Sequence, residues 1–310
     1  MALCADDYAL HEGVDDAVCA LLAQRGLTAV SCMSGAPRWH NYAAPRLREM
    51  ADGAGAQKAT NSVADIGLHL NLTESFGQQD TSLAGVIVKS YTRRLDREAL
   101  RTRFARQFDA FEDGMGRTPD FIDGHQHVHQ FPVVRDIVLE LIASRYGERT
   151  PWVRSTLAGS GLLSPKQALL GLLGGWTLAR RLRAANILTN AGFAGVYGFD
   201  SDDYAGLFEQ WLLRAREGML LMCHPAISSG AHDPIGCQRQ REYGFFSSDA
   251  FATMLAARGV RLVRLSSLLA PACHERHGAL QDFSEPVVNQ PSCTMTNLDD
   301  PGTRMNTDAR

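Results

Sequence analysis

Short apolar segments alternate with amphipathic segments along most of the chain, and this order constrains the fold more than any other feature. Residues 2–5 are apolar and lead into Asp6-Asp7, residues 13–25 repeat apolar side chains at helical spacing, and residues 27–33 are apolar again. A strand, a helix and a second strand in this order pack with the strands parallel and the helix outside the sheet. The beginning of the chain therefore predicts a parallel α/β sheet.

The same alternation continues to about residue 265. The pattern predicts further strands over 64–73, 121–129, 152–155, 219–224 and 260–265, and helices over 93–115, 133–145, 165–185, 204–217 and 248–258. Such a series is typical of an irregular, TIM-barrel-like (β/α) barrel, which we expect over residues 1–269. Residues 270–310 are polar, contain Pro, Asn and Asp and lack periodicity, so a disordered C-terminal tail is predicted there.

The charge balance narrows the class of partner. Thirty-one Lys and Arg against 34 Asp and Glu give a net charge of -3, which predicts neither nucleic acid nor an anionic membrane and favours a small neutral substrate. The seven cysteines show no CxxC spacing, so neither a disulfide framework nor a cysteine zinc site is indicated. Without a secretory signal pattern or an apolar run of membrane-spanning length, the sequence predicts a cytoplasmic protein with no transmembrane segment.

Three of the ten histidines lie within residues 123–129, which read DGHQHVH. In a strand, alternate side chains share a face, so Asp123, His125, His127 and His129 are expected to point the same way. Neutral histidine is a common metal ligand, and a nearby carboxylate can orient its ring. The alternative is a solvated edge strand whose histidines have no function.

A second strand supplies another histidine. Residues 66–73, IGLHLNLT, alternate apolar and small or polar side chains, so one face packs while the other presents His69, Asn71 and Thr73. An isolated histidine is more often a hydrogen-bonded core residue. The hypothesis that His69 binds a metal depends on its meeting the histidine cluster.

Asp6 and Asp7 end the first strand. Adjacent carboxylates beside a buried strand repel each other, and a cation stabilises them, so one can bind metal while the other acts as a base. A helix cap or a turn remains the alternative. Near the other end of the chain, an apolar strand ends at His224, before a proline, where a histidine can transfer a proton. The neighbouring Cys223 has the opposite strand parity and is expected to face the helices instead.

Four motifs resemble those of the YdjC-like (ChbG/HpnK) carbohydrate deacetylase family. In chain order they are ADDY at 5–8, GLHL at 67–70, DGHQHVH at 123–129 and MCHP at 222–225, and the resemblance spans about residues 2–268. The first and third motifs are weak evidence by themselves. Their combination, in this order and at this spacing, is specific.

The resemblance implies an irregular (β/α) barrel related to NodB-type polysaccharide deacetylases and one divalent cation, usually magnesium. It implies that Asp7, His69 and His125 bind the cation and that Asp6 is the general base. The catalytic acid is left open between His224 and His127. Candidate substrate contacts are His127, Asn71, Arg154, Glu242 and Tyr243. Because magnesium prefers oxygen ligands, two histidines favour zinc or cobalt at least as well.

The leading hypothesis is a metal-dependent hydrolase that removes an acetyl group from an N-acetylated sugar, either chitooligosaccharide-like or lipid-linked. A hydrolase of another bond, such as a phosphoester, on the same barrel is the alternative, although no basic cradle or Gly-rich phosphate loop lies near the motifs. A third hypothesis is a non-catalytic sugar- or metal-binding protein, which would not need both Asp6 and Asp7. A homodimer is compatible with the fold class, and the sequence leaves the oligomeric state open.

Overall fold

The structure is a computed structural model and describes residues 1–52, 63–76, 82–147, 149–159, 165–230 and 232–269. The segment predicted to be a disordered tail, 270–310, lies outside the described residues.

Seven strands form one parallel sheet. Their order is β5-β4-β3-β2-β1-β7-β6, and every pair of neighbours runs parallel. The strands are β1 (Ala2–Tyr8), β2 (Ala29–Cys32), β3 (Asp65–Leu70), β4 (Phe121–Gly124), β5 (Trp152–Val153), β6 (Gly192–Ala194) and β7 (Met219–Cys223). The predicted α/β class and irregular barrel are confirmed, because the sheet curls while its edge strands β5 and β6 share no ladder within the described ranges.

Helices connect and cover these strands. They are α1 (Glu12–Ala23), α2 (Ala44–Asp52), α3 (Leu83–Tyr91), α4 (Arg97–Met115), α5 (Val134–Tyr146), α6 (Pro165–Leu170), α7 (Trp176–Ala184), α8 (Tyr204–Leu212), α9 (Gly236–Phe246), α10 (Asp249–Ala257) and α11 (Leu265–Leu269). Single π-helical turns precede α2 and α7, and a 3₁₀ helix follows β4 over His125–Gln130. The sequence did not predict α2, α3, α9, α11 or β6.

Alternating side chains of the strands divide between two cores. The outer core lies between sheet and helices and includes Leu3, Ala5 and Cys223. The inner core fills the barrel with the side chains of Ala2, Cys4, Ala29, Phe121, Trp152, Phe193, Leu220, Met222 and Leu265. Cys223 thus faces the helices, as its parity predicted. Along each strand, every second side chain points into the barrel. Near the carboxyl ends these inward-pointing side chains are polar, and they lie next to the apolar inner core.

The gap between β5 and β6 is bridged by one side chain. The Asn190 carboxamide accepts the Ser155 N–H at 2.7 Å and donates to the carbonyl oxygens of Ser155 and Gly192, each at 2.9 Å. The Val153 N–H also donates to the Leu188 carbonyl at 2.9 Å. Asn190 therefore replaces part of the ladder that a further strand would provide.

Two predicted strands are wrong in part or in whole. The strand predicted over 121–129 ends at Gly124, where the chain turns into the 3₁₀ helix with Gln126 at φ 52° and His127 at φ 60°. The last strand, predicted over 260–265, is an irregular segment whose Val263 N–H donates to the Met1 carbonyl at 3.0 Å. The strand β1 that follows Met1 is already paired on both sides, by β2 and β7, so residues 260–264 cannot extend a ladder along it.

Candidate metal centre and active site

The carboxyl ends of the strands bring the predicted site residues to one place. Asp6 and Asp7 lie near the end of β1, His69 near the end of β3, Asp123 in β4, and His224 directly after β7. In a parallel sheet these ends meet at the same edge, which is where such folds bind ligands. A cavity of about 490 Å³ opens there, and Asp6, Asp7, His69 and His224 line it.

Asp7, His69 and His125 form a compact cluster of metal-type ligands. One ligand atom from each side chain lies within 4.8 Å of the other two. The Asp7 Oδ1 atom is 3.2 Å from His69 Nε2 and 2.8 Å from His125 Nδ1. Asp7 has a left-handed backbone (φ 66°), a conformation that Asp tolerates better than most residues. The turn lets consecutive residues Asp6 and Asp7 both line the cavity.

Two buried groups orient the His69 ring. The Asp123 Oδ1 atom lies 2.6 Å from His69 Nδ1, and the Ser31 hydroxyl lies 2.9 Å from the same nitrogen while donating to Asp123 at 2.5 Å. Burial by itself would lower the pKa of His69, but Asp123 and Asp7 outweigh it and raise that pKa to about 10, so in the metal-free chain both ring nitrogens carry protons. With Nδ1 held by Asp123, Nε2 is the nitrogen whose proton a bound cation would replace. The sequence predicted a carboxylate that orients a ring within the 123–129 cluster, whereas Asp123 orients a histidine of the neighbouring strand, and Ser31 carried no sequence signal beyond its place in a buried strand.

Arg154 holds Asp6 from the inside of the barrel. Its Nη1 and Nη2 atoms each lie 2.6 Å from one Asp6 carboxylate oxygen, and Nη2 also lies 2.5 Å from Asp123 Oδ2. Burial by itself would raise the pKa of Asp6, but the Arg154 guanidinium outweighs it and holds that pKa below its ordinary value. The Arg154 side chain is fully buried and does not line the cavity, so its position fits an anchor for Asp6 rather than the expected substrate contact.

A second arginine anchors Asp7. The Arg239 Nη2 atom donates to Asp7 Oδ2 at 2.7 Å, and its Nε atom lies 2.8 Å from Asp233 Oδ2, which is also 3.2 Å from His11 Nε2. No sequence motif pointed to Arg239, Asp233 or His11. Arg239 precedes Glu242 by three residues and therefore shares its helix face, so the candidate Glu242 could have drawn attention to Arg239.

His224 lies in the cavity wall and is positioned by a buried carboxylate. Its backbone N–H donates to Glu242 Oε2 at 2.5 Å, and the Tyr197 hydroxyl donates to the other Glu242 oxygen. Its ring meets Phe199 edge-on at 5.1 Å between centroids. Burial lowers the pKa of His224 to about 4, although Asp7 and Asp6 oppose the shift, and burial raises the pKa of Glu242 to about 7.

The histidines of the DGHQHVH motif point in three directions. His125 reaches Asp7, while His127 lines the cavity and packs edge-on against Phe193 at 5.5 Å between ring centroids. His129 is fully buried, with Nε2 at 3.0 Å from the Arg154 carbonyl oxygen. The expectation that these rings share one strand face is wrong, because the strand ends before them.

Besides Arg154, three further candidate substrate contacts lie outside the cavity lining. The Asn71 carboxamide accepts the N–H groups of Thr73 and Glu74 at 3.0 and 2.8 Å and so stabilises a turn. Glu242 is buried beneath His224, and Tyr243 packs partly buried against the outer core. Of the five candidates, the structure brings only His127 to the cavity surface.

The fold and the site define a parallel α/β barrel protein with an Asp-His-His cluster and an arginine-held aspartate at the carboxyl ends of its strands. The chain belongs to the YdjC-like protein family, whose profile matches residues 1–257. No helix in the described ranges is long and apolar enough to cross a membrane.

Several solved structures match this chain over most of its length. A candidate cellobiose-phosphate cleavage protein from Enterococcus faecalis V583 superposes with a TM-score of 0.62 at 18% identity, covering 86% of this chain and 97% of that one. A chitin deacetylase from Colletotrichum lindemuthianum matches at 12% identity and TM-score 0.43, with 88% of each chain covered. A family 4 acetyl xylan esterase from Clostridium thermocellum, in complex with cobalt, matches at 13% identity and TM-score 0.40, covering 86% and 89%.

Proposed function

We propose that the protein is a metal-dependent hydrolase that removes an acetyl group from an N-acetylated sugar. The observation that carries the proposal is a carboxylate, Asp6, held by Arg154 beside three converging metal-type ligands at the wall of one cavity. Amide hydrolysis needs a base for water, stabilisation of the oxyanion and an acid for the amine. Membership of the YdjC-like family supports the same assignment.

The residues present fit a divalent cation. Asp7, His69 and His125 offer one carboxylate and two imidazole nitrogens within 4.8 Å, a set that suits zinc or cobalt as well as the magnesium implied by the family motifs. Three protein ligands leave positions open for water and substrate. A cation held there supplies Lewis acidity to the attacking water and to the acyl oxygen.

Asp6 is the proposed base. Its pKa lies below the ordinary value, so the carboxylate is ionised at neutral pH and can accept the proton of the attacking water. The two Arg154 contacts restrict rotation of the carboxylate, because each carboxylate oxygen has one lone pair directed at the guanidinium. The remaining lone pairs set the directions from which a proton can be accepted.

His224 is the proposed acid. It lines the cavity, and its Nδ1 atom, like that of His127, has no hydrogen-bond partner in the described part of the chain. The ring is neutral in the free protein because burial lowers its pKa to about 4. The proton taken from water must therefore reach His224 before the amine leaves.

The cavity suits a small, mostly neutral ligand. Its volume of about 490 Å³ is within the range of ordinary ligand sites, and Leu10, Phe76, Phe199 and Ile235 supply apolar walls. Aromatic and aliphatic walls favour the C–H faces of a sugar.

The first test compares acetate release from a panel of N-acetylated saccharides by metal-loaded protein. We expect Asp6→Asn to keep bound metal, measured by mass spectrometry of the eluted ion, while its kcat falls by about 10²–10⁴-fold. We expect His125→Ala to lose both metal and activity, and chelation of the wild type to reproduce that loss. Asp16→Asn and His40→Ala, which change exposed or half-buried residues away from the site, are the matched controls.

The outcomes separate the competing functions. Equal acetate release by the wild type and both site variants would refute the mechanism. Phosphate release from phosphosugars without acetate release would favour the phosphoester hydrolase, and saturable binding of metal and sugar without turnover would favour a binding protein.

A second test distinguishes the two candidate acids. A nitrophenolate leaving group needs no proton, so a variant that lacks only the acid should still hydrolyse 4-nitrophenyl acetate. We expect His224→Ala to lose activity on acetylamino sugars by about 10²-fold or more while keeping the ester activity. His127→Ala should keep both activities, and the reverse pattern would assign the acid to His127.

A further inference from the structure

Five large side chains that the core does not use lie on α3 and on the segment from α6 to α7. We call them the apolar face, and they are Val88, Tyr91, Leu169, Leu172 and Trp176, which are between 45% and 66% exposed. Isolated exposed apolar residues are common, but a connected group indicates a binding surface.

Contacts connect the two parts of the apolar face. The Tyr91 hydroxyl donates to the Leu172 carbonyl at 3.4 Å, which joins α3 to the π-helical turn before α7. The Trp176 indole covers Gly171, where a Cβ atom would lie 3.0 Å from the ring. Val88 and Tyr91 are one helical turn apart on α3, as are Leu169 and Leu172 on the neighbouring segment.

The fold does not require these side chains. Leu178 and Leu182 turn α7 toward the core and are buried, whereas Trp176 is half exposed at its first turn. The apolar face is therefore additional to the surface that holds α7 in place.

Basic residues flank the apolar face along the chain, and acidic ones are absent from its segments. Residues 82–94 and 165–185 contain no Asp or Glu. Their basic residues, all exposed, are Lys89, Arg93, Arg94, Lys166, Arg180, Arg181 and Arg183. Asp136 on α5 pairs with Arg181 at 3.4 Å and neutralises one of them.

We propose that the apolar face and its basic rim bind the surface of an anionic lipid bilayer. Tryptophan, tyrosine and leucine side chains enter the interfacial layer of a bilayer, and lysine and arginine pair with its anionic headgroups. A second copy of the chain fits less well, because a symmetric dimer would place two basic rims opposite each other. The proposal is independent of the hydrolase reaction.

The location links the bilayer surface to the cavity. The Gln130 side chain, at the end of the 3₁₀ helix that carries His125 and His127, donates to the Leu170 carbonyl at 3.1 Å and accepts the Thr156 hydroxyl at 2.6 Å. Binding at the apolar face would therefore hold the metal-type cluster near the membrane, where N-acetylated sugars attached to lipids would be presented.

Vesicle flotation of the full chain tests the proposal. We expect binding to vesicles of phosphatidylcholine with phosphatidylglycerol, weak binding to phosphatidylcholine alone, and release at high salt. Removing one positive charge near an anionic surface lowers the partition coefficient about fivefold, so the double variant Arg180→Glu/Arg183→Glu should lower it by at least about tenfold. The double variant Leu172→Ser/Trp176→Ser should lower it by a similar factor.

Matched variants elsewhere serve as controls. Leu213→Ser, at a side chain of similar exposure on another surface, and Arg48→Glu should bind vesicles like the wild type. All variants should keep the acetate release of the wild type on a water-soluble substrate, which shows that they fold. Equal flotation of all variants would overturn the proposal. So would a change in molar mass by light scattering in the Leu172→Ser/Trp176→Ser variant without a change in flotation, because the face would then be an interface between copies.

Discussion

Arg154 illustrates how a buried charge is stabilised at the residue scale. Burying a guanidinium away from water costs free energy unless carboxylates pair with it. In this protein Asp6 and Asp123 both contact the Arg154 Nη atoms. The same ion pairs explain why two carboxylates can be buried next to the His69 ring. Arg154 thereby couples the proposed base to the carboxylate that orients a proposed metal ligand.

The buried carboxyl group of Glu242 should make the stability of the protein depend on pH. Its pKa is raised from 4.5 to about 7 in the folded protein, so between these values the unfolded chain releases the proton that the folded chain retains. The free energy of unfolding should therefore fall as pH rises through that window, by about 3 kcal/mol for this group. Glu242→Gln should abolish that part of the slope in urea unfolding curves, since glutamine can donate to Tyr197 and accept from the His224 N–H.

The control for this prediction is Glu49→Gln, which replaces an exposed glutamate on α2. It should retain the wild-type dependence of stability on pH. An unchanged slope in Glu242→Gln would show that the carboxylate is ionised throughout the range.

At the scale of elements, the position at which β4 ends determines the side-chain directions of three histidines. The strand ends at Gly124, and the left-handed backbones of Gln126 and His127 reverse the chain within two residues. Residues in a strand alternate by 180°, but this turn sends His125 to Asp7, His127 to the cavity wall and His129 under Arg154. Side-chain direction after a strand end depends on the turn, which alternation does not encode.

The spacing of β3 and β4 gives a second prediction. A Cβ atom on Gly67 would lie 2.5 Å from the Phe121 ring, and that ring stacks on Trp152 at 4.3 Å, so it has little room to move. Gly67→Ala should lower the free energy of unfolding by about 1–3 kcal/mol and reduce metal affinity, because it displaces the strand that carries His69.

Gly244 is the matched control for Gly67. It lies in α9, and a Cβ atom there meets nothing within 4 Å. Gly244→Ala should raise stability by about 0.5–1 kcal/mol through its helix propensity. Equal effects of the two alanine substitutions in urea unfolding would contradict the packing argument.

At the scale of the whole molecule, closure of the barrel depends on Asn190. Its carboxamide satisfies backbone groups at the two sheet edges, and loss of a partner for a buried backbone group costs about 1–3 kcal/mol. Asn190→Ala should lower stability by that amount or more and increase hydrogen exchange at the amides of β5 and β6 before those of β1. Asn41→Ala, on an exposed segment, should leave both measurements unchanged. Uniform acceleration of exchange across all strands would instead indicate global destabilisation.

Charge distribution is also a property of the whole molecule. The net charge of -3 predicted no anionic membrane, yet all the charged residues of 82–94 and 165–185 are basic. Net charge sums over the surface and conceals segregation, while a bilayer interacts only with the face within about one Debye length.

The sequence by itself determined the parallel α/β class, the four motifs and the residues that meet at the carboxyl ends, because strand periodicity and chain order limit where parallel strands can end. The strand patterns alone left open which of Asp6 and Asp7 would bind a metal, and the resemblance to the family motifs was needed to select Asp7 together with His69. Only the tertiary structure decided that Arg154 holds Asp6, that Arg239 holds Asp7, that Asn190 bridges the sheet edges, and that residues 260–265 form no strand. The first three depend on contacts between residues up to 232 positions apart, and the choice of partner for a buried polar group is set by packing geometry rather than by local pattern.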